Sequence, residues 1–69
     1  MFEKTLKECR ERKGYTQYEL AELVGVSQSA IAQFELGSSL PNIKTAVRLA
    51  ETLGVTCEEL VKGKEVVTE

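Results

Sequence analysis

The sequence predicts an all-α fold built from five short helices. Apolar residues recur at helical spacing along most of the 69 residues, and no alternating strand pattern competes with them. Each of the five glycines stands where such an apolar stretch ends, the position that favours glycine after a helix. Residues that commonly cap a helix N-terminus precede the second to fifth stretches: Thr16, Ser27, Asn42 and Thr56.

The first predicted helix runs from about Glu3 to Lys13 and is stopped by Gly14. Phe2, Leu6 and Cys9 recur at helical spacing and define one apolar face. We therefore expect Cys9 to serve as a small core residue.

The second predicted helix runs from Gln17 to Val24. Thr16 is its N-cap, and Glu19, three residues later, completes a capping-box pattern. Gly25 follows at the position where a helix end requires a left-handed residue. The residues expected on the inner side are Leu20, Ala21, Leu23 and Val24.

The third predicted helix runs from Gln28 to about Leu36, between the N-cap Ser27 and the terminating Gly37. Its expected buried stripe is Ala30, Ile31 and Phe34. The opposite side is left to solvent and carries Gln28, Ser29, Ala32 and Gln33. Polar residues with no core to pack into are the first indication of an external partner.

The loop "GSSLPN" follows, and Leu40 is expected to anchor it inward. Asn42 caps a fourth helix that reaches Leu53 and is closed by Gly54. The inner face predicted for this helix is Ile43, Ala46, Val47, Leu49, Ala50 and Leu53.

Thr56 caps a short fifth helix, and Glu59 stands at its capping-box position. Leu60 and Val61 are expected to face inward, and Gly63 ends the helix. The chain is thus predicted to be one domain over residues 1–63, followed by a C-terminal tail, "KEVVTE", over 64–69.

Composition narrows the class of protein. A net charge of −2 argues against a general binder of polyanions, and residues 1–57 are neutral, with seven acids and seven bases. No apolar run approaches the roughly 18 residues of a membrane span, and "MFEKTLKECRERK" is too charged for a signal peptide. A cytoplasmic protein is therefore expected.

Catalytic and metal-binding signals are weak. The chain has no histidine, no CxxC pair, no glycine-rich phosphate loop and no nucleophile elbow. Its two cysteines cannot fill a zinc site, and reduced thiols are the simpler alternative to a single disulfide. We expect neither an enzyme nor a cofactor, and no small-molecule ligand is evident.

The second and third helices carry the functional signal. Two helices of about eight residues are joined by a three-residue turn that contains Gly25. Ala21 is small where the helices must cross, and Ile31 can plug the angle between them. In this register the chain resembles the Cro/CI-type helix-turn-helix (XRE-like) family of phage repressors and bacterial regulators, over roughly residues 6–61. The resemblance implies a five-helix lambda-repressor-like DNA-binding domain.

The resemblance also implies a docking mode on double-stranded DNA. In this family the third helix enters the major groove and the second lies across the backbone. Base contacts are implied for Gln28, Ser29 and Gln33, and phosphate contacts for Gln17, Asn42 and Lys44. Arg10 and Glu35 match positions that form a structural ion pair. The alternative for the polar residues is a plain solvated helix face.

One departure from the family pattern bears on affinity. Many relatives carry basic residues just after the third helix, whereas "GSSLPN" has no charge. Because counterion release supplies much of protein–DNA affinity, a monomer should bind weakly. The resemblance implies the family's usual remedy, a homodimer on a palindromic operator. The C-terminal valines Val61, Val66 and Val67 are candidate dimer contacts, and the alternative for residues 64–69 is a frayed tail.

Two functions of different class remain open. The first is a sequence-specific transcriptional regulator, most simply a repressor. The second is a protein-interaction module that keeps the helix-turn-helix fold, in the manner of antitoxin-like or anti-repressor relatives. The net acidity and the neutral loop favour the second, and the polar face of the third helix favours the first.

Overall fold

The computed structural model describes residues 2–62, and the side chains of all of these except 57, 61 and 62. Within this range five helices follow one another with no strand: α1 (Phe2–Lys13), α2 (Gln17–Val24), α3 (Gln28–Leu36), α4 (Ile43–Leu53) and α5 (Cys57–Lys62). The predicted all-α, five-helix fold is confirmed. Only the start of α1 differs, by one residue.

The predicted N-caps are present as hydrogen bonds. Thr16 Oγ1 accepts the Glu19 backbone N–H at 3.0 Å, and Glu19 Oε1 accepts the Thr16 backbone N–H at 2.9 Å. Thr56 and Glu59 form the same reciprocal box at the start of α5. Each cap satisfies N–H groups that a helix N-terminus leaves without a partner.

The break between α2 and α3 is a left-handed turn at Gly25. Its φ of 87° lies in the region that residues with a Cβ rarely adopt. The N–H groups of Gly25 and Val26 both reach the Ala21 carbonyl, at 2.8 and 3.0 Å. The chain can therefore restart as α3 at a sharp angle after only three residues.

One core lies between the helices and draws on all five. Five of its side chains are fully buried leucines or isoleucine: Leu6, Leu20, Ile31, Leu49 and Leu60. Ala21 is 2% exposed at the contact between α2 and α3, as expected for a close crossing. Cys9 is a buried free thiol within the same core.

Four apolar residues predicted to face inward are instead exposed, and these predictions were wrong. Leu23, Leu40, Ile43 and Val47 are 56%, 73%, 82% and 38% exposed. Helical spacing assigns residues to a face but does not show how far neighbouring helices extend along it. The buried residues of α4 are Leu49, Ala50 and Leu53, so the core covers only its C-terminal half.

Other predictions fall outside the described part of the chain. These are the inward position of Val61, the end of α5 at Gly63, and the tail over residues 64–69. Among the described residues, no helix has the length and apolar character needed to cross a membrane.

Candidate nucleic-acid interface

The exposed face of α3 carries the three residues predicted to contact bases. Gln28, Ser29 and Gln33 are all exposed, while Ile31 and Phe34 on the other side are buried. Ser27 holds the start of the helix, since its Oγ accepts the Ala30 backbone N–H at 3.0 Å. The result is a short polar surface on a helix whose other side is anchored in the core.

An ion pair ties α1 to the end of α3. Arg10 Nε donates to Glu35 Oε2 at 2.7 Å, and Arg10 Nη2 donates to Glu35 Oε1 at 3.2 Å. The side chains are only 12% and 5% exposed. Arg10 Nη1 also donates to the Tyr15 carbonyl at 2.8 Å, so the guanidinium holds the loop before α2. Its hydrogen bond to Glu35 raises the pKa of Arg10, which stays charged at any physiological pH.

A chain of hydrogen bonds extends from this pair to the surface of α3. Gln17 Nε2 donates to Glu35 Oε1 at 3.0 Å. Gln28 Nε2 in turn donates to Gln17 Oε1 at 2.7 Å. Because Glu35 can only accept, it fixes the orientation of the Gln17 amide, and this fixes which atom of Gln28 points toward Gln17.

The network leaves Gln28 with the groups needed to recognise a base. Its bond to Gln17 uses one amide hydrogen, so the second hydrogen and the carbonyl oxygen are available to a partner outside the chain. A donor and an acceptor side by side match adenine N7 and N6. Holding the side chain in place beforehand lowers the entropy that binding would otherwise cost.

The N-terminus of α2 offers a separate set of donors. The capping box uses the N–H groups of Thr16 and Glu19. Those of Gln17 and Tyr18, the first two residues of the helix, have no acceptor within the helix, and the positive end of the helix dipole favours an anion there. The side chain of Gln17 is already bonded within the protein, so its backbone is the group suited to a phosphate.

The N-terminus of α4 is built in a similar way. Asn42 Oδ1 accepts the Thr45 backbone N–H at 2.8 Å, which confirms the predicted cap. This leaves the Asn42 amide hydrogens for another acceptor, and Lys44 is exposed one residue into the helix. Two of the three predicted phosphate ligands, Asn42 and Lys44, are thus at the start of α4.

Sequence reasoning missed two contacts. It placed Gln17 and Gln28 in separate roles, although the structure joins them. It also passed over Arg48 of α4, whose Nη1 donates to the Val24 carbonyl at 3.3 Å. No local signal pointed to the second contact, because α3 and α4 also lack a basic residue in their last turns, as α2 does.

A concave region lies between α1 and α5, apart from the polar face of α3. It encloses about 150 Å³ and is lined by Thr5, Glu8, Cys9, Arg12, Val55 and Glu59. Among the described residues, no group of three or more acidic, cysteine or histidine side chains is placed to hold a metal ion. The polar face of α3 is therefore the stronger candidate for a functional site.

Comparison with known proteins shows the family to which the chain is similar. A family model described as helix-turn-helix matches residues 6–60. The SPbeta prophage-derived HTH-type transcriptional regulator YonR of Bacillus subtilis (strain 168) is 38% identical over 63 residues, which are 91% of this chain and 58% of that protein. A second regulator of that bacterium, YqaE, is 38% identical over 64 residues, 93% of this chain and 55% of its own length. The chain thus spans a little more than half of these relatives.

Solved structures show the same fold. The P22 c2 repressor in complex with a synthetic operator superimposes with a TM-score of 0.89 at 28% identity, covering 93% of this chain and 97% of that one. SinR, a master regulator for biofilm formation solved in complex with DNA, gives 0.83 at 31% identity, covering 88% and 98%. These matches confirm the lambda-repressor-like architecture. The chain belongs to the Cro/CI-type helix-turn-helix family of transcriptional regulators.

Proposed function

We propose that this domain binds double-stranded DNA sequence-specifically and regulates transcription, most simply as a repressor. The observation that carries the proposal is the hydrogen-bonded chain from Arg10 through Glu35 and Gln17 to Gln28. A chain of buried and half-buried groups that ends at an exposed glutamine is the arrangement expected of a base-reading side chain. The similar P22 c2 and SinR structures, solved with an operator and with DNA, support this proposal.

In the proposed complex, α3 lies in the major groove with its N-terminal residues at base edges. Gln28 and Gln33 can each bond an adenine through a donor and an acceptor, and Ser29 can pair with several bases. Their common exposed face allows all three to reach one groove. Since Ile31 and Phe34 hold the opposite side in the core, α3 cannot roll without disturbing the fold.

Phosphate contacts would hold the domain in register. The backbone N–H groups at the start of α2 would take one phosphate, with Gln17 as the first residue of that helix. The Asn42 amide and the Lys44 ammonium would take another at the start of α4. Two such points, at the starts of α2 and α4, would help to fix the angle of α3 in the groove.

We propose that the regulator acts as a homodimer on a palindromic operator. Lys44 is the one cation among the proposed contacts, so a single domain would gain little from counterion release. Two domains on adjacent half-sites gain from effective concentration without a large interface. We further propose that the domain is cytoplasmic, needs no cofactor and has no enzymatic activity, in keeping with its family.

The test begins with selection of bound sequences from random duplex DNA. We expect an enriched palindrome. Gln28→Ala and Gln33→Ala should each weaken the binding free energy on this palindrome by about 1–3 kcal/mol and relax the preference at one base pair. Glu51→Ala, at an exposed position of α4, is the control and should bind as the unaltered protein does. Full affinity in both glutamine variants would contradict the proposed docking.

One observation favours the alternative of a protein-interaction module. Leu40, in the uncharged loop, and Ile43, directly after it, are large apolar residues with 73% and 82% exposure. Large exposed apolar side chains are common at protein–protein contacts. Selection would separate the two functions, because an interaction module that does not read DNA would enrich no sequence.

A further inference from the structure

The C-terminus of α2 is completed by a residue from another helix. The N–H groups of Gly25 and Val26 both donate to the Ala21 carbonyl, so neither of them satisfies the carbonyl of Val24. That carbonyl accepts a hydrogen bond of 3.3 Å from Nη1 of Arg48, which lies 24 residues further along the chain. A helix ends in carbonyls that lack partners and in the negative end of its dipole, so a cation there is favourable.

The composition of α2 leaves the negative end of its dipole without a cation from the helix itself, so a cation from another helix is more favourable there. The helix has no basic residue in its last turn, and Glu19 and Glu22 add negative charge along its length. The Arg48 guanidinium also lies at the turn itself, since a Cβ built on Gly25 would come within 3.2 Å of its Nη1. Arg48 therefore contacts the point at which the chain changes direction between α2 and α3.

We propose that Arg48 is a positioning residue for DNA recognition, which joins the base-reading α2–α3 unit to the phosphate-binding end of α4. This inference rests on the proposed function. Gln28 begins α3 three residues after Gly25, whereas Asn42 and Lys44 begin the helix that carries Arg48. The two sets of groups must reach bases and backbone together, and such constellations tolerate displacements of only about 0.5 Å.

Arg48 acts by fixing the position of α4 relative to the turn, and its side chain need not contact DNA. Without it, α2 and α4 remain packed through the core, so the fold persists. The angle between α3 and the start of α4 is then less restricted. Specific binding must restore that angle, so the affinity for the specific site falls. Non-specific binding, which depends on phosphates alone, does not require that angle.

The variant to compare with the unaltered protein is Arg48→Met, with Arg12→Met as the control for loss of one exposed positive charge. Affinity is measured on the selected duplex and on a scrambled one, at several salt concentrations. Arg48→Met should weaken specific binding roughly three- to tenfold, leave the scrambled duplex and the salt slope unchanged, and keep a cooperative melting transition. Arg48→Lys, which can still donate to the carbonyl, should recover part of the loss.

Two results would overturn the proposal. Equal weakening on both duplexes, with a salt slope lower in magnitude by about 0.9, would make Arg48 a direct phosphate ligand. A lower Tm with unchanged specific affinity of the folded protein would make it purely structural.

A measurement on the free protein keeps this inference separate from the proposed function. Residual dipolar couplings report the angle between α3 and α4 without DNA, and that angle should change or become less defined in Arg48→Met. An unchanged angle would overturn the positioning role. If the unaltered protein selects no DNA sequence, the proposed function fails, whereas the couplings still decide whether Arg48 sets the helix angle.

Discussion

Among single residues, Arg10 makes the contacts with the greatest consequence. Its guanidinium donates both to the nearly buried Glu35 carboxylate and to the Tyr15 carbonyl. The same carboxylate accepts a hydrogen bond from Gln17, so Arg10 helps to fix the position of Gln17. A buried pair of this kind contributes little net stability against an apolar pair, but removal of one partner leaves a charge without compensation. Its role is to specify where α1, α2 and α3 meet.

Arg10→Met should therefore be severely destabilising. It leaves Glu35, 5% exposed, without its counter-ion, and we expect a loss of about 3–5 kcal/mol in the free energy of unfolding. That approaches the whole stability of a domain this small. Urea denaturation followed by circular dichroism measures the loss. Arg12→Met, which removes an exposed guanidinium from the same helix, should change stability by no more than about 0.5 kcal/mol.

The double variant Arg10→Met/Glu35→Leu provides the complementary test. With both charges removed, most of the lost stability should return. A double variant as unstable as the single one would show that packing around Arg10, and not the unpaired carboxylate, dominates the loss.

Gln17 gives a second prediction at this scale. Gln17→Ala removes the acceptor that orients Gln28 but keeps the backbone N–H at the start of α2. Specific affinity should fall by about 1 kcal/mol, the size of one hydrogen bond, while the salt slope stays unchanged. Fluorescence anisotropy at several salt concentrations measures both. A reduced slope with intact base preference would instead make the side chain itself a phosphate ligand.

At the scale of elements, several independent interactions fix the turn between α2 and α3. The capping box sets where α2 begins, the left-handed Gly25 sets where it ends, and Arg48 approaches from α4. These features agree with one another, which is the usual mark of a sequence that specifies a single structure.

Gly25→Ala and Gly14→Ala form a matched pair. Both glycines have positive φ, 87° and 80°, so each alanine should cost about 1–2 kcal/mol in backbone strain. A Cβ at position 14 meets no atom within 4 Å, whereas one at position 25 lies 3.2 Å from Arg48 Nη1, which must shift by a few tenths of an ångström and so strains its 3.3 Å bond to Val24. Gly25→Ala should therefore lower the free energy of unfolding more than Gly14→Ala does.

The excess cost at position 25 should diminish in the Arg48→Met background, because the contact with Val24 is already lost. A double-mutant cycle by urea denaturation measures this coupling. Equal costs at the two glycines would show that Arg48 moves aside freely and contributes nothing to the turn.

For the whole molecule, charge and size govern how the domain can act. With Lys44 the one cation among the proposed contacts, the slope of log K against log salt on a half-site should be shallow, about −1 to −3. Lys44→Met should reduce its magnitude by about 0.9 and Arg12→Met should not. Titrations at graded salt measure both, and a half-site slope near −10 would contradict this view of the interface.

The proposed dimer is tested by comparing a palindromic duplex with a single half-site. Two domains should bind the palindrome more tightly than two independent half-sites allow. A chain truncated after residue 63 should lose that advantage if the valines of the tail form the contact. An undiminished advantage would move the contact to the rest of the domain, where Leu40 of the loop and Ile43 and Val47 of α4 are exposed.

The sequence by itself determined the helices and the polar face of α3. Caps, glycines and helical spacing act over three to five residues, so "TQYELAELVGVSQS" predicts the end of one helix and the start of the next without reference to the rest of the chain. The exposure of Gln28, Ser29 and Gln33 followed from the same local pattern, because the opposite stripe is apolar.

Only the tertiary structure decided how these pieces meet. The bonds from Arg10 to Glu35, from Gln17 to Glu35 and from Arg48 to Val24 join residues 25, 18 and 24 positions apart. The family resemblance indicated the first of these, and local patterns indicated none of them. The exposure of Ile43 and Leu40 has the same origin. Which apolar residue is covered depends on where other helices end in space, and the spacing of residues within one helix carries no information about that.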